Sequence, residues 1–377
     1  MSEAPSLSKR GIKTLKRDSR IEILELVRAN LFDSATNANG IVDLGSSMNG
    51  LVRDITNDYV AQTYKWNPTS TSTYFPTTGS EALRESMANF MNRHFDPSYK
   101  ILQKHIVAMN SAATLINMLM YTLLDEGEGV MMPTPGYTFL QNAAETRNFV
   151  RSVFANTESL EDQFISRCAS GFVAALESSV ATAETQGVRV KAVLLCNPHN
   201  PVGKCYEPGV LRAIMEFCSR KNLHLVIDEI YALSAFGAPF NSALSIDHLG
   251  CENLHVVYGV SKDWGFHGLR LGFMVSRNES VLSIMARLGQ LHRTSRMSDD
   301  FFTTFLNDKD FIDNVYIPTL RGRLARGHAN TTARLREIKI PYTPATAGLS
   351  LWVDLSGWLQ YIPPSKTGGT KEYQLAR

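Results

Sequence analysis

Within GVSKDWGFHGLRLGF, Gly259 to Phe273, a lysine and an arginine stand eight positions apart, and each side chain suits a particular ligand group. Lys262 ends the apolar run LHVVYGVSK. A lysine held out of water there is partly neutral, and so nucleophilic toward an aldehyde. Arg270 offers a planar fork that matches a phosphate dianion, and Ser261 adds a hydroxyl. Each of these also reads, alone, as a solvated surface group. Asp228 is more informative, because it sits in the apolar run LVIDEIY, where an unpaired carboxylate is costly. It is either a cap or structural ion pair, or a carboxylate that meets a buried cation. A protonated pyridine nitrogen is such a cation, and its protonation makes the ring an electron sink.

Four further segments supply groups of complementary kinds. NSAATLIN, Asn110 to Asn117, opens a helix whose backbone N–H groups around Ala113 and Thr114 suit an anion. PTPGYTF places Tyr137 after a strand, where its ring either packs in a turn or stacks on a flat ligand. NPHNPVG is a rigid turn in any reading, and the Asn200 amide within it can donate to a ring oxygen. Tyr231, three residues after Asp228, can donate to the same oxygen.

These residues need elements to carry them. SEALRESMANFMNRHF repeats apolar residues at helical spacing behind the capping candidate Ser80, and SAATLINMLMYTLL is a second helix. GVMMPTP, VKAVLLC, LHLVIDEIY and LHVVYGVSK are short apolar runs, and PGVLRAIMEFCSRKN between two of them is helical. Strands apolar on both faces and separated by helices imply an α/β fold with a mostly parallel sheet covered on both sides. Ligands of such sheets collect at the carboxyl ends of the strands. Asn200, Asp228, Tyr231 and Lys262 all fall at or just past such ends.

Composition narrows the classes. The chain has 377 residues, enough for one large domain and a smaller one, and its 38 Lys+Arg nearly balance 36 Asp+Glu. That balance argues against a nucleic-acid partner, and the basic run KRGIKTLKRDSR reads as a solvated arm. Cys168, Cys196, Cys205, Cys218 and Cys251 are odd in number and form no CxxC pair. They read as reduced thiols of a cytoplasmic protein, with no metal site. No signal-peptide pattern or membrane-spanning apolar run is present.

In the order helix start, aromatic, asparagine, aspartate, tyrosine, serine-lysine and arginine, the chain resembles the fold-type I pyridoxal-phosphate enzymes of the class I/II aminotransferase superfamily. NPHNPVG, DEIYA and SKDWGFHGLRLG look most like the branch of the 1-aminocyclopropane-1-carboxylate synthases and their fungal relatives, which includes carbon–sulfur lyases. The resemblance runs from about Gly40 to Leu355. It implies pyridoxal 5′-phosphate as cofactor, with Lys262 bonded to its aldehyde carbon and Asp228 paired with its ring nitrogen. Asn200 and Tyr231 would hold the ring oxygen, and Tyr137 would stack on the ring. Ala113, Thr114, Ser261 and Arg270 would take the phosphate. Tyr74, in STYFPTTG, would reach the phosphate of a neighbouring subunit, which implies a homodimer with shared active sites.

The expected organisation is an arm and small-domain part over 1–45, a large cofactor-binding domain over 46–300, and a small α/β domain over 301–377. The expected activity is chemistry at the α-carbon of an amino acid or amino-acid-derived metabolite, by transamination or carbon–sulfur cleavage. A cyclopropane-forming lyase or a catalytically impaired homologue is the alternative. Three departures from the family bear on this. Gly259 stands where many relatives have a second phosphate-binding serine. Met48, in DLGSSMNGL, replaces a substrate-pocket glutamate of the plant synthases, although Asn49 and Leu51 match. After AGLSLWVDL the family continues to a substrate-clamping arginine, and no residue up to Arg377 fits that role. The small domain is thus expected to be truncated, with apolar surface exposed around Leu351 and Trp352.

Overall fold

The computed structural model describes residues 7–15, 20–247, 252–363 and 371. Cys251, residues 16–19 of the basic run and most of the tail expected as a loop lie outside them. The chain divides into two compact units. The larger comprises Met48–Asn330 and Pro344–Leu351, and the smaller comprises Met1–Ser47, Thr331–Thr343 and Trp352–Arg377.

The larger unit is built on seven strands: β1 (Ile106–Met109), β2 (Gly129–Thr134), β3 (Arg151–Asn156), β4 (Val190–Cys196), β5 (His224–Asp228), β6 (Leu254–Gly259) and β7 (Gly272–Ser276). Their order across the sheet is β1-β7-β6-β5-β4-β2-β3. The five strands from β6 to β3 are parallel neighbours, while β7 runs antiparallel to both β6 and β1. The mostly parallel α/β sheet expected from the apolar runs is therefore present.

The runs are apolar throughout because both faces of the sheet are covered. Leu225 and Ile227 of β5 join the core on one face, and Val226 joins the core on the other. Helix Ala112–Leu123 covers the Val226 face, and helices Glu81–His94, Pro208–Lys221 and Arg296–Asn307 cover the opposite one. Ser80 caps helix Glu81–His94, its hydroxyl accepting from Leu83 N–H at 3.1 Å, as its sequence position suggested.

Register aligns the ends of the central strands. Cys196 of β4 lies opposite Asp228 of β5, which in turn lies opposite Val257 of β6. The segments that follow, carrying Asn200, Tyr231 and Lys262, consequently emerge along one edge of the sheet.

Residues 301–330 belong to the larger unit. The physical reason is aromatic packing: Phe302 and Phe305 sit edge-on to Trp264, at 5.8 and 5.3 Å between ring centroids. In the smaller unit, β8 (Tyr342–Thr343) pairs antiparallel with β9 (Trp352–Val353), and Trp352 is 41% exposed. Among the described residues no helix is long and apolar enough to cross a membrane.

Candidate active site

A cavity of about 230 Å³ opens at the carboxyl ends of β4, β5 and β6. Ala113, Tyr137, Asp228, Tyr231, Ser261, Lys262 and Arg270 all border it. The sequence scattered these residues over more than 150 positions, and the fold brings them to one wall.

Asp228 is the last residue of β5 and is buried. Ile230 N–H donates to its Oδ1 at 3.2 Å, the carboxylate's one hydrogen bond among the described residues. Burial pushes its carboxyl up to about 7, with the Ile230 N–H and the charge of Lys262 pulling the other way. Lys262 lies three residues beyond β6. Burial lowers its ammonium pKa, while the charges of Asp228 and Cys196 oppose that shift. The site thus holds an acid raised toward neutrality beside an amine lowered toward it.

The lysine's backbone is fixed from behind. Asn49 Nδ2 donates to the carbonyl of Lys262 at 2.9 Å and to that of Asp263 at 3.3 Å, and the Tyr316 hydroxyl donates to the Asp263 carbonyl at 2.8 Å. The Asp263 carboxylate accepts from Leu233 N–H at 2.8 Å, Ser234 Oγ at 2.6 Å and the Tyr258 hydroxyl at 3.1 Å. These bonds tie the Lys262 segment to the loop that carries Tyr231. Tyr231 and Asn200 are themselves paired, Asn200 Nδ2 donating to the tyrosine oxygen at 3.1 Å. Asn200 borders an adjoining cavity of about 190 Å³, which shares Tyr137, Leu140 and Cys196 with the first. Tyr137 occupies the position before helix Thr138–Asn148.

The opposite end of the cavity is shaped for an anion. Helix Ala112–Leu123 starts there, and Gly272 of β7 lets the two backbones meet: a Cβ at 272 would lie 2.3 Å from Ala112 N. Arg270 adopts a left-handed backbone (φ 50°) and its Nη1 donates to the His267 carbonyl at 2.9 Å. Thr114 departs from expectation. Its N–H is not open to a ligand, because it donates to Ser111 Oγ at 3.0 Å, and Thr114 does not border the cavity. Ser111, the capping residue of that helix, borders the cavity instead.

Tyr74 lies outside the cavity, 96% exposed, with the Arg293 guanidinium 5.5 Å from its ring centre. Met48 is 64% exposed. Three residues went unnoticed in the sequence. Ser111 was inside a quoted helix start, and Asp263 directly follows the lysine. His267 sits between lysine and arginine and also borders the cavity. Only their positions next to noted residues could have flagged them.

The family model for aminotransferase class I and II matches residues 52–365. A bovine 1-aminocyclopropane-1-carboxylate synthase-like protein 1 is 32% identical over 364 residues, covering 95% of this chain and 72% of its own length. A protein of Leptosphaeria maculans named probable aminotransferase sirI is 31% identical over 328 residues, covering 84% and 77% respectively. Aspartate aminotransferase of Thermus thermophilus, in a single-mutant form, superposes with a TM-score of 0.72 at 18% identity, covering 96% of this chain and 87% of that one, which shows the shared fold. The chain belongs to the class I and II aminotransferases, a pyridoxal-phosphate-dependent family.

Proposed function

We propose that this protein acts at the α-carbon of an amino acid or amino-acid-derived metabolite, by transamination or by cleavage of a carbon–sulfur bond. The observation that carries the reading is the pairing of Asp228 and Lys262 at adjacent strand ends on one cavity wall. The names of the bovine and Leptosphaeria relatives point the same way.

The residues present fit pyridoxal phosphate. A buried carboxylate with one hydrogen bond accepts a cationic ring nitrogen. An amine stripped of water suits the aldehyde, and a helix start beside Arg270 and Ser261 suits the phosphate. Tyr137 would cover the ring, and the Asn200–Tyr231 pair would hold its oxygen. Once bound, the cofactor supplies a protonated ring that draws electrons from the substrate's α-carbon. Ionised Asp228 stabilises that protonation, and a ring cation facing it lowers a carboxyl that burial has raised. Neutral Lys262 Nζ takes the α-proton as general base, and burial favours its neutral form. Asn49 and Asp263 hold the lysine's backbone while its side chain swings between these tasks.

Tyr74, exposed on the larger unit, is available to a second copy, and a homodimer with shared sites is part of the same proposal. A cytoplasmic setting fits the free thiols of Cys168, Cys196, Cys205 and Cys218.

A spectral screen tests the reading. The purified protein is mixed with amino acids, S-adenosylmethionine and cysteine conjugates, and keto acid, ammonia and free thiol are assayed. The native protein should carry a visible cofactor band that shifts with substrate. Lys262→Ala should lose the covalently held cofactor and at least about 10³-fold of turnover. A native protein whose band ignores every compound, with no product, would leave a cofactor-binding but catalytically impaired homologue in its place.

A further inference from the structure

The adjoining cavity of about 190 Å³ differs from the first in kind. Met132, Leu140, Phe154, Leu194 and Cys196 border it, and among the described residues it meets no lysine, arginine, aspartate or glutamate. The first cavity, by contrast, is bordered by Asp228, Lys262 and Arg270. His199 also borders this annex, and burial lowers its imidazole to about 4, against a hydrogen bond to the Pro135 carbonyl, so the ring is neutral near pH 7. An apolar cavity of about 150 Å³ takes a benzene-sized group, so the annex has room for a branched aliphatic, phenyl or thioether group.

Position says which molecule that group belongs to. Tyr137, Leu140 and Cys196 border both cavities, so the annex lies directly against the space where the cofactor ring would sit. Asn200 borders the annex, its Nδ2 held against the Tyr231 oxygen at 3.1 Å. That pair would hold the ring oxygen, and in pyridoxal phosphate the ring oxygen and the aldehyde group are carried by neighbouring ring carbons. The annex therefore adjoins the corner of the cofactor at which a substrate amine reacts. The phosphate corner is elsewhere, because Ser111, Ala113, Ser261 and Arg270 border the first cavity alone. Phe154 stands on the edge strand β3, is 48% exposed, and so marks the solvent side of the annex.

We propose that the annex receives the substrate's side chain, and that the protein selects amino acids whose side chain is uncharged and apolar: aliphatic, aromatic or thioether. A carboxylate or ammonium placed there loses its water without meeting an opposite charge, and that cost exceeds what its methylenes gain by burial. An apolar group gains with each methylene it buries. This rests on the reading that the first cavity holds pyridoxal phosphate.

Conjugates in which pyridoxal phosphate is reduced onto the amine of an amino acid test this without turnover. Cofactor-free protein is titrated with pyridoxamine phosphate, which has no side chain, and with the phosphopyridoxyl conjugates of L-alanine, L-2-aminobutyrate, L-norvaline, L-phenylalanine and L-glutamate. Affinity should rise about 4-fold per methylene from alanine to norvaline. The glutamate conjugate, close to norvaline's in length, should bind at least about 30-fold more weakly than it. Two variants then alter the annex from opposite sides. Phe154→Arg places a cation at the rim and should narrow the gap between norvaline and glutamate by at least about 5-fold. Leu194→Ala widens the annex and should favour the phenylalanine conjugate over norvaline's by at least about 5-fold more than native. Pyridoxamine phosphate should bind both variants within about 2-fold of native, which shows the cofactor site intact. A native series that is flat across the apolar conjugates overturns the proposal, and so does a glutamate conjugate that binds within about 3-fold of norvaline's. Unchanged selectivity in both variants overturns it as well. In each of these cases pyridoxamine phosphate still binds and the cofactor reading stands. If the native protein does not bind pyridoxamine phosphate, both fall.

Discussion

Three carboxylates lie buried within a few residues of the proposed chemistry, and they divide between two regions. Asp228 borders the cavity. Glu229 and Asp263 are packed in the interior, at 0% exposure each. Burial raises all three, to about 7 for Asp228, about 8 for Glu229 and about 7 for Asp263. The size of the shift therefore does not separate the functional acid from the structural ones. Satisfaction of the oxygens does. Glu229 accepts from Ser242 Oγ at 2.6 Å and Ala243 N–H at 2.7 Å, and Asp263 accepts from three donors. The Asp228 carboxylate accepts from one backbone N–H among the described residues, and the residue borders the cavity. A carboxylate that the protein has already saturated holds the fold together, and one left open awaits a ligand.

Asp228→Asn should break that comparison with the largest effect. The amide keeps the size and the bond from Ile230, and it cannot stabilise a ring cation. Turnover should fall on the order of 10²–10³-fold, the cost of losing one preorganised charge in a closed site. Stability of the cofactor-free protein should change in the opposite sense. The folded pKa of Asp228 lies above the ordinary value of 3.8, so the unfolded chain releases its proton first, and native stability falls as pH rises from about 4 to about 7. The variant escapes that fall, so its thermal midpoint should overtake the native one across this window. Retention of full activity would remove Asp228 from the chemistry.

Asp263→Ala should do the reverse, with an effect next in size. Leu233 N–H and the hydroxyls of Ser234 and Tyr258 would lose their acceptor inside the core. A loss of about 2–4 kcal/mol in urea-denaturation stability follows from several unsatisfied donors and a small cavity. A loss under about 1 kcal/mol would show that the three bonds do not secure the Lys262 segment.

The same distinction explains what was legible in the sequence. Asp228, Lys262, Tyr231 and Asn200 could be read because each follows an apolar strand, and strand ends of a parallel sheet converge by register. Asp263 and Glu229 are neighbours of noted residues, yet their donors come from Leu233, Ser234, Tyr258, Ser242 and Ala243, and nothing in local spacing announces such pairings. Thr114 shows the same limit, because whether a helix's first N–H groups are open depends on which side chain caps them. Ser111 takes that donor. Phe302 and Phe305 likewise declare their place in the larger unit only by packing on Trp264, which no local pattern announces.

Glu229→Gln sharpens the comparison with the smallest effect. The substitution parallels Asp228→Asn: an isosteric amide replaces a buried acid one residue away in sequence. Below the ordinary carboxyl range both native and variant are neutral in the folded and unfolded chains, and Gln can still bond Ser242 and Ala243. Near pH 4.5 about half of the unfolded native chains are ionised at this position, a difference worth only a few tenths of a kcal/mol, so the two proteins should agree within about 1 kcal/mol. The folded pKa of Glu229 is raised, so the native protein alone should lose stability as pH climbs from 4.5 to about 8, and the variant should gain on it over that window and no further above it. Denaturation curves at pH 4.5, 6, 7 and 8.5 measure the divergence. Turnover and cofactor affinity should stay within about 2-fold of native throughout, because Glu229 touches Ser242 and Ala243 and does not border the cavity. A tenfold loss of turnover in this variant would mean that the open and the saturated carboxylates act as one unit, and the division between the two regions would have to be redrawn around the whole Asp228–Glu229 step.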